Sequence, residues 1–374
     1  MATAIEPRPD SRPLTATREI EFLRLRSAAE LSELAGCWSS LDDRVASPMQ
    51  SYAWTAACVE TFGRPSGVEL LVGIRGDRVV AAAPLIATGR AGGRRELLTY
   101  RQVYEPADLI YEDAHALAAL SRRLCEAGRP LFCGRMFAAA PSVAALQNAA
   151  AGRGRVLVRP QAVTPWIALD EGWASPEEKL SSRRRSDLRR ARRHAENAGA
   201  MRVQCHTPSP DEVDRLLDLA FDIERRSWKG TAGTALAAGP LGDFHRCYAR
   251  RAAARKAFRV DLLYFGPHAV AMQLAAIHQN RYWVLKVGYD PEFQRASPGI
   301  LLMVEAIKQA VADGLSSYEL LGTKEPWIQV WTDLERSCVS LRYYPLNWRG
   351  AAALAGDAIG QVSRRLARRQ TCDR

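Results

Sequence analysis

The chain of 374 residues lacks the features that mark several classes of protein. No apolar run approaches the length that crosses a bilayer, so no integral membrane segment is expected. Residues 1–17 are rich in proline and charge, contain no apolar secretory region, and are expected to be disordered. The eight cysteines are scattered without a Cys-x-x-Cys pair, which argues against a disulfide framework or a zinc site. We therefore expect a cytoplasmic protein with reduced thiols and no metal.

Basic residues are in excess, because 52 Lys+Arg against 41 Asp+Glu give a net charge of +11. A GC-rich genome would also enrich arginine, but the arginines cluster at 183–193 and 364–369. Such clusters create a local positive field, which favours anionic partners.

Strand and helix patterns alternate through residue 170, which is typical of an α/β module. The second half repeats this order, with helices, three successive strands, a crossover helix at 300–313 and a final strand. We therefore predict the α/β fold class, with mixed sheets in tandem modules at 18–174 and 175–346. A basic amphipathic helix at 347–374 follows. It either docks on the body with a solvated arginine face or lies weakly on a membrane surface, so a peripheral position at the inner membrane stays open.

The most informative segment runs from Arg281 to Gly322, and it reads as strand, loop, helix and strand. Its loop, from Gln294 to Gly299, leads directly into the apolar periodicity of the helix. The N-terminus of a helix after a strand is a place where free N–H groups and the helix dipole can bind a phosphate. An ordinary crossover without a ligand would have the same order of elements.

This loop resembles the Gln/Arg-x-x-Gly-x-Gly/Ala signature of GCN5-related acyltransferases (the GNAT fold), with Ser297 in place of the central glycine. The wider segment YDPEFQRASPGILLMVEAI is similar to the bacterial CelD/BioF2-like acetyltransferase domains, which are relatives of the FemAB peptidoglycan transferases. The segments SYAWTAACVETFG (51–63), LSSRRRSDLRRARR (180–193) and SWKGTAGTAL (227–236) agree with it. The resemblance covers roughly residues 20–345 and is strongest from about 175 to 325. It implies tandem GNAT-like modules and an acyl-coenzyme A donor.

The resemblance also implies where the donor binds and how it reacts. The acceptor attacks the thioester directly, in a gap where two adjacent strands splay apart, and the backbone of the strand before the loop lies near the thioester. The residues implied in cofactor binding are Val287, Gly288, Gln294, Arg295, Ala296, Ser297, Pro298 and Gly299. Arg295 is either a counter-ion for the phosphates or a solvated loop charge.

Direct attack needs a base for the acceptor and hydrogen bonds for the oxyanion. The candidate bases are Asp290, Glu319 and His278, with Tyr289 or Tyr318 as acids. Each has a structural alternative: Asp-Pro often opens a turn, a strand glutamate often faces outward, and a lone histidine at a strand end often belongs to a turn.

Four residues are candidate contacts for the acceptor: Trp228, Lys229, Lys324 and Trp327. Trp228-Lys229-Gly230 resembles the family's segment over the acceptor cleft, although a surface loop anchored by one tryptophan is an equal alternative. The stretch from Gly322 to Trp331 also matches the family. However, Trp327-Ile328 replaces a usual tyrosine-lysine pair.

The block from Arg183 to Arg193 has two interpretations. Arg183, Asp187 and Arg190 share a helix face and can form ion pairs, while Leu188 and Ala191 could be buried. The remaining arginines either form a solvated face or contact a polyanion, such as the phosphates of coenzyme A, an anionic sugar polymer or tRNA.

Three functions remain compatible with these residues. The first is an acyl-CoA-dependent acyltransferase acting on an amine or hydroxyl of a small molecule or glycan, in envelope polysaccharide or small-metabolite biosynthesis. The second is a FemAB-like transferase that uses aminoacyl-tRNA, with binding that weakens steeply with salt. The third is a degenerate, non-catalytic binding protein. The oligomeric state is left open.

Overall fold

The computed structural model describes residues 19–63, 67–88, 93–98, 101–227 and 239–372, with side chains up to residue 361. The predicted disorder of 1–17 and the candidate contacts Trp228 and Lys229 lie outside these ranges.

Helices and strands alternate along both halves of the chain. The α-helices are α1 (Ala28–Glu33), α2 (Ala35–Asp42), α3 (Tyr52–Phe62), α4 (Ala114–Glu126), α5 (Pro141–Ala150), α6 (Pro176–Lys179), α7 (Ser182–Ala198), α8 (Val213–Arg226), α9 (Pro240–Ala254), α10 (Pro298–Ala312) and α11 (Trp348–Cys372). Short 3-10 helices lie at Pro48–Gln50, Glu171–Ala174 and Pro291–Ala296.

The strands are β1 (Glu21–Leu25), β2 (Val68–Arg75), β3 (Arg78–Ala87), β4 (Arg95–Leu97), β5 (Ile110–Tyr111), β6 (Leu131–Phe137), β7 (Gly154–Ala168), β8 (Met201–His206), β9 (Phe258–Phe265), β10 (His268–His278), β11 (Arg281–Tyr289), β12 (Ser317–Glu319) and β13 (Glu335–Pro345). They join in one mixed sheet of order β1-β2-β3-β4-β6-β13-β7-β12-β11-β10-β9-β8, and β5 pairs with β3. The predicted α/β class with mixed sheets is therefore confirmed.

Turn residues account for the hairpins of this sheet. Gly76 has a φ of 69° in the β2–β3 turn, a backbone conformation that glycine adopts without strain. Gln279 and Asn280, with φ of 49° and 55°, close the β10–β11 hairpin. Asparagine tolerates this left-handed region better than most residues.

Strand β13 crosses from the end of the chain back into the first half of the sheet. It pairs with β6 on one side and with β7 on the other. Sequence reasoning missed this strand, although alternation of apolar with charged and polar residues is typical of a half-buried strand. The domain boundaries near residues 175 and 346 stay a prediction. The pairing of β13 means that a cut at 175 would separate strands that share hydrogen bonds.

One apolar core spans both halves of the chain. Trp54 of α3 lies edge-on to Phe244 and Tyr248 of α9, with ring centroids 4.8 and 5.0 Å apart. Edge-to-face pairs of this kind add to the stabilisation from burial. The two halves are therefore held together by packed aromatic side chains. A second cluster, formed by α7, α10 and the opposite face of the second half of the sheet, includes Tyr318.

Two helical segments of the chain are interrupted. The segment from Ala28 to Asp42 forms two helices that meet at Leu34, and the basic helix begins at Ser182 after a break at Leu180 and Ser181. In the described ranges, no helix has both the length and the apolar character that crossing a membrane requires. The predicted C-terminal helix is present as α11.

Candidate functional site

A gap opens in the sheet between β11 and β12. These parallel strands pair only from Arg281 to Trp283, against Ser317–Glu319. Beyond Trp283, β11 continues to Tyr289, while the chain after β12 turns away at Leu321, whose φ is 56°. Two strands that separate in this way leave backbone groups facing a space between them.

The first half has the same order of elements, β6–α5–β7, but no such gap. Strand β13 lies between β6 and β7 and pairs with both. Within the described residues, the gap between the two strands joined by a crossover helix is therefore open in the second half and filled by β13 in the first.

A β-bulge interrupts the pairing of β10 with β11 next to this gap. Leu274 of β10 is paired with Lys286 and Ala275 with Val284, so that Leu285 is the extra residue. A bulge bends the strand and redirects the side chain next to it. Lys286 and Gly288 both lie on the face covered by α8, where a Cβ at Gly288 would be 3.4 Å from Glu224 Cγ.

The predicted phosphate loop follows β11 as a 3-10 helix that ends at Ser297. Ser297 is the N-cap of α10 in the left-handed conformation (φ 46°, ψ 53°), and its side chain makes no capping hydrogen bond. This is the position where the resembling signature has glycine, and the conformation explains that preference.

The first turn of α10 has few backbone donors to offer an anion. The N–H of Ser297 donates to Gln294 O at 3.0 Å, and that of Ile300 donates to Ser297 O at 3.0 Å. Pro298 has no N–H, which leaves the N–H of Gly299 in the position to face a ligand. A Cβ at Gly299 would meet only Tyr289 Cδ1, at 3.5 Å. The side chains of Gln294, Arg295 and Ser297 are exposed, and Ala296 is buried.

Helix α7, which carries the arginine block, packs against the 3-10 helix at Pro291–Ala296 and against α10. Leu188 and Ala191 are buried, and Arg190 pairs with Asp187 at 2.8 Å, as predicted. The exposed arginines without an ion pair among the described residues are Arg183, Arg184, Arg189 and Arg193. The helix that carries these unpaired charges therefore packs against the candidate phosphate loop.

Asp290 is buried and serves as the N-cap of the 3-10 helix. Its Oδ1 accepts the N–H of Glu292 at 3.0 Å, and its Oδ2 accepts a hydrogen bond from Arg226. With both oxygens engaged, the carboxylate has a structural task.

Glu319 is also buried, and it forms a bidentate pair with Arg336. Arg336 Nε lies 2.9 Å from Oε2 and Arg336 Nη2 lies 2.6 Å from Oε1, which also accepts from Ser317 Oγ at 2.8 Å. Asp290 and Glu319 are therefore held by different arginines and are not brought together.

The remaining predicted acids and bases lie away from one another. The ring of Tyr289 faces α10, beside Gly299. Tyr318 is stacked on Tyr282, and burial holds the pKa of its hydroxyl well above the usual range. His278 lies at the opposite end of β10, where its Nε2 is 2.8 Å from Val45 O and burial lowers its pKa.

Two of the candidate acceptor contacts lie on the segment after β12. Lys324 is exposed and pairs with Glu335 of β13. Trp327 is half-buried, and its Nε1 donates to Glu325 at 2.7 Å. Neither points to a bound group.

Sequence reasoning missed a buried charge cluster next to the gap. Lys286 Nζ lies 3.6 Å from Glu224 Oε1, and Arg135 Nη1 lies 3.9 Å from Glu105 Oε2. Glu105 and Arg135 come from the first half of the chain, while Lys286, Glu224 and His245 come from the second. One signal was present in the sequence, since Lys286 interrupts an otherwise apolar strand.

The charges of this cluster affect one another. Burial raises the pKa of Glu105 to about 7, although the nearby charges of Arg135 and Lys286 act to lower it. Burial and the charge of Lys286 lower the pKa of His245 to about 3, so its imidazole is neutral at pH 7. Groups with shifted pKa values beside a cleft are common at sites of proton transfer.

Arg135 links this cluster to the other side of the gap. Its Nη2 donates to the carbonyl oxygens of Leu321 and Gly322, at 2.6 and 2.7 Å. Arg135 itself has a φ of 52° at an irregularity of β6. Such strain persists where the surroundings fix the residue in place. The cluster thus spans the gap, from Lys286 on β11 to the chain after β12.

Comparisons with known proteins agree with this architecture. Residues 182–328 match the family model described as an acetyltransferase (GNAT) domain. The fold is similar to that of FemX, at 11% identity over 87% of this chain and 98% of that chain, with a TM-score of 0.56.

Two further solved structures have a similar fold. One is the C-terminal domain of an Agrobacterium fabrum protein assigned as a lysylphosphatidylglycerol synthetase (14% identity, 89% of this chain and 96% of that chain, TM-score 0.56). The other is a conserved protein of unknown function from Bacteroides thetaiotaomicron VPI-5482 (10% identity, 87% and 99%, TM-score 0.50). No curated protein gave a match. The predicted resemblance to GNAT acyltransferases of the FemAB type is confirmed, and with it the tandem GNAT-like fold.

Proposed function

We propose that this protein is an acyltransferase that moves an acetyl or other acyl group from acyl-CoA to an amine or hydroxyl of a small molecule or glycan. The observation that carries this proposal is the open gap between β11 and β12, next to the N-terminus of α10. In it, the thioester carbonyl would lie beside Val287 and Gly288, and the pyrophosphate would lie at Gly299 with Arg295 as a counter-ion. The match of residues 182–328 to an acetyltransferase (GNAT) domain supports this arrangement.

The arginines of α7 add a second source of attraction for the donor. They lie on a helix that packs against the candidate phosphate loop, so their field acts on an anion there. Because α10 offers few backbone N–H groups, side-chain cations would carry much of the affinity for phosphate. Affinity for the donor should therefore fall as salt is added.

Aminoacyl-tRNA is the second candidate donor, and the same two observations favour it. Four exposed arginines without ion pairs suit a polyanion longer than coenzyme A, and an aminoacyl ester could occupy the same gap. The two donors differ in size and charge, so binding experiments separate them.

The test compares binding of acetyl-CoA, by calorimetry, to the wild type and to Gly299→Glu. At Gly299 a new side chain meets only Tyr289 at ordinary contact distance. A carboxylate in the first turn also suits the helix dipole, so the variant should fold. Its negative charge would repel the pyrophosphate, and acetyl-CoA binding should be lost.

Gly36→Glu is the matched control. Gly36 is also the second residue of a helix, α2, is exposed, and has no atom within 4 Å of a Cβ built on it. This variant should bind acetyl-CoA like the wild type. If the wild type binds aminoacyl-tRNA but no acyl-CoA, the second candidate replaces the first. If Gly299→Glu binds acetyl-CoA normally, the donor does not lie at α10.

A further inference from the structure

We propose that Glu105 and Lys286, one from each half of the chain, are the catalytic pair in the gap between β11 and β12. In this assignment Glu105 takes the proton of the acceptor and the ammonium of Lys286 stabilises the oxyanion. The inference rests on the proposed acyl transfer in the same gap, and it adds the groups that perform it.

The position of Lys286 follows from the bulge in β11. Leu285 is the extra residue, and the residue after it is turned towards α8 at the level where β11 has left β12. Glu224, which is fully buried, lies 3.6 Å from the ammonium and balances its charge. A lysine held in this way would act on the carbonyl oxygen, where negative charge develops in the tetrahedral state.

Two cations act on Glu105, one from each half of the chain. Arg135 Nη1 lies 3.9 Å from Glu105 Oε2, and Arg135 also donates hydrogen bonds to the chain after β12. The charge of Lys286 acts on Glu105 from β11. The side chain of Glu105 is 15% exposed, and its Oε2 is buried without a hydrogen-bond partner among the described residues. A carboxylate oxygen without a donor in such a place is available to accept a proton from a substrate.

Two other carboxylates near the gap lack this property. Asp290 and Glu319 have both oxygens engaged. His245, the remaining titratable group around Lys286, is a neutral imidazole at pH 7. Its low pKa makes it a weak base. Glu105, with a pKa near neutrality, both accepts a proton and gives it up.

The reaction balances as follows. The lone pair of the acceptor nitrogen or oxygen forms a bond to the thioester carbonyl carbon, and its proton passes to Glu105. The oxyanion, beside Lys286, collapses and the carbon–sulfur bond breaks. Coenzyme A leaves as the thiolate and receives the proton from Glu105, so that acceptor and acyl-CoA become the acylated acceptor and the free thiol of coenzyme A.

The test uses acetyl-CoA hydrolysis by the full chain, with water as the acceptor and release of the coenzyme A thiol as the readout. In the wild type the rate should rise with pH through an apparent pKa near 7. Glu105→Gln should bind acetyl-CoA normally but lose about 100-fold or more in rate, with no inflection near pH 7. Lys286→Met removes the positive charge and leaves the buried Glu224 without this ion pair. It is therefore paired with Lys286→Arg, which should restore part of the rate.

Glu112→Gln is the control. The side chain of Glu112 is 7% exposed and pairs with Arg78, in the same half of the chain. This variant should keep the rate and the pH profile of the wild type. If Glu105→Gln also keeps both, the catalytic pair is overturned and the proposed function stands.

Two other outcomes are also decisive. A wild type that neither binds nor hydrolyses acyl-CoA overturns the proposed function and the pair with it. If acetyl-CoA binds without turnover, calorimetry at pH 7 in buffers of different ionisation enthalpy measures the number of protons taken up on binding, and this number tests the role of Glu105. The thioester would desolvate Glu105 further, so binding should take up protons in the wild type but not in Glu105→Gln, and equal uptake in both would overturn the assignment.

Discussion

Replacing Glu105 with glutamine should change how the stability of the fold depends on pH. A carboxyl whose pKa is higher in the folded than in the unfolded chain destabilises the fold once it ionises. Below pH 4.5, its usual pKa, Glu105 is protonated in both states and costs nothing; the cost grows as pH rises and is complete above about 7. At 1.36 kcal/mol per pH unit, the difference between these values amounts to roughly 3 kcal/mol.

Glutamine has the shape of the protonated acid and no charge. The free energy of unfolding of Glu105→Gln, minus that of the wild type, should therefore increase by roughly 3 kcal/mol between pH 4.5 and pH 8. Because other titrating groups contribute equally to both proteins, the difference isolates Glu105. Urea unfolding followed by tryptophan fluorescence at five or six pH values measures it, with unchanged slopes against urea as a check.

A carboxyl with the opposite shift provides the control. Partial burial acts to raise the pKa of Glu177, but hydrogen bonds from Arg192 and Lys308 lower it overall. Glu177→Gln should therefore lose stability relative to the wild type near neutral pH, and the loss should shrink as pH falls through the lowered pKa. If the Glu105→Gln difference is the same at pH 4.5 and pH 8, Glu105 ionises as it does in water. Glu105 would then not be a desolvated base in the gap.

Two further substitutions test the candidate site. Ser297→Gly should raise the free energy of unfolding by roughly 0.5–1 kcal/mol, since relief of left-handed strain exceeds the added entropy of the unfolded chain. Urea unfolding measures this change. A lower free energy of unfolding in the variant would show that the conformation of Ser297 is not strained. Asp290→Asn keeps an N-cap acceptor but loses the ion pair with the partly exposed Arg226. The free energy of unfolding should therefore fall by about 1 kcal/mol or less. The rate of acetyl-CoA hydrolysis should change only a few-fold. A fall of about 100-fold in that rate would instead return Asp290 to the role of base.

Local signals made much of the second half predictable. The apolar runs of β9, β10 and β11 are separated by turn residues, and the helix after Gly299 has a continuous apolar period. Each of these features is encoded within about ten to fifteen residues. Strand β13 is different, because its partners β6 and β7 lie roughly 170 to 220 residues earlier. Only the folded chain shows that this strand closes the gap in the first half.

The sequence predicted the location of the candidate site better than the roles of its residues. Ser297, in the left-handed conformation, and the start of α10 at Pro298 both lie within the predicted loop. Asp290 and Glu319 have acidic side chains near the correct strand ends, which is what the sequence can indicate. Their arginine partners, Arg226 and Arg336, lie 64 and 17 residues away, and this pairing occupies the oxygens that a base would need.

The charge cluster cannot be predicted from either half of the sequence alone, because its residues come from both halves. Lys286 could be singled out as a charge in the middle of an apolar strand, but Glu105 lies in a loop with no pattern around it. The charge of Lys286 acts on Glu105 across the junction of the two halves, which are also joined where Trp54 of α3 packs against Phe244 of α9. A buried carboxylate oxygen that accepts no hydrogen bond costs stability, and a fold does not need one at the junction of its halves. Its presence beside the open gap is explained more simply by chemistry at that junction than by packing.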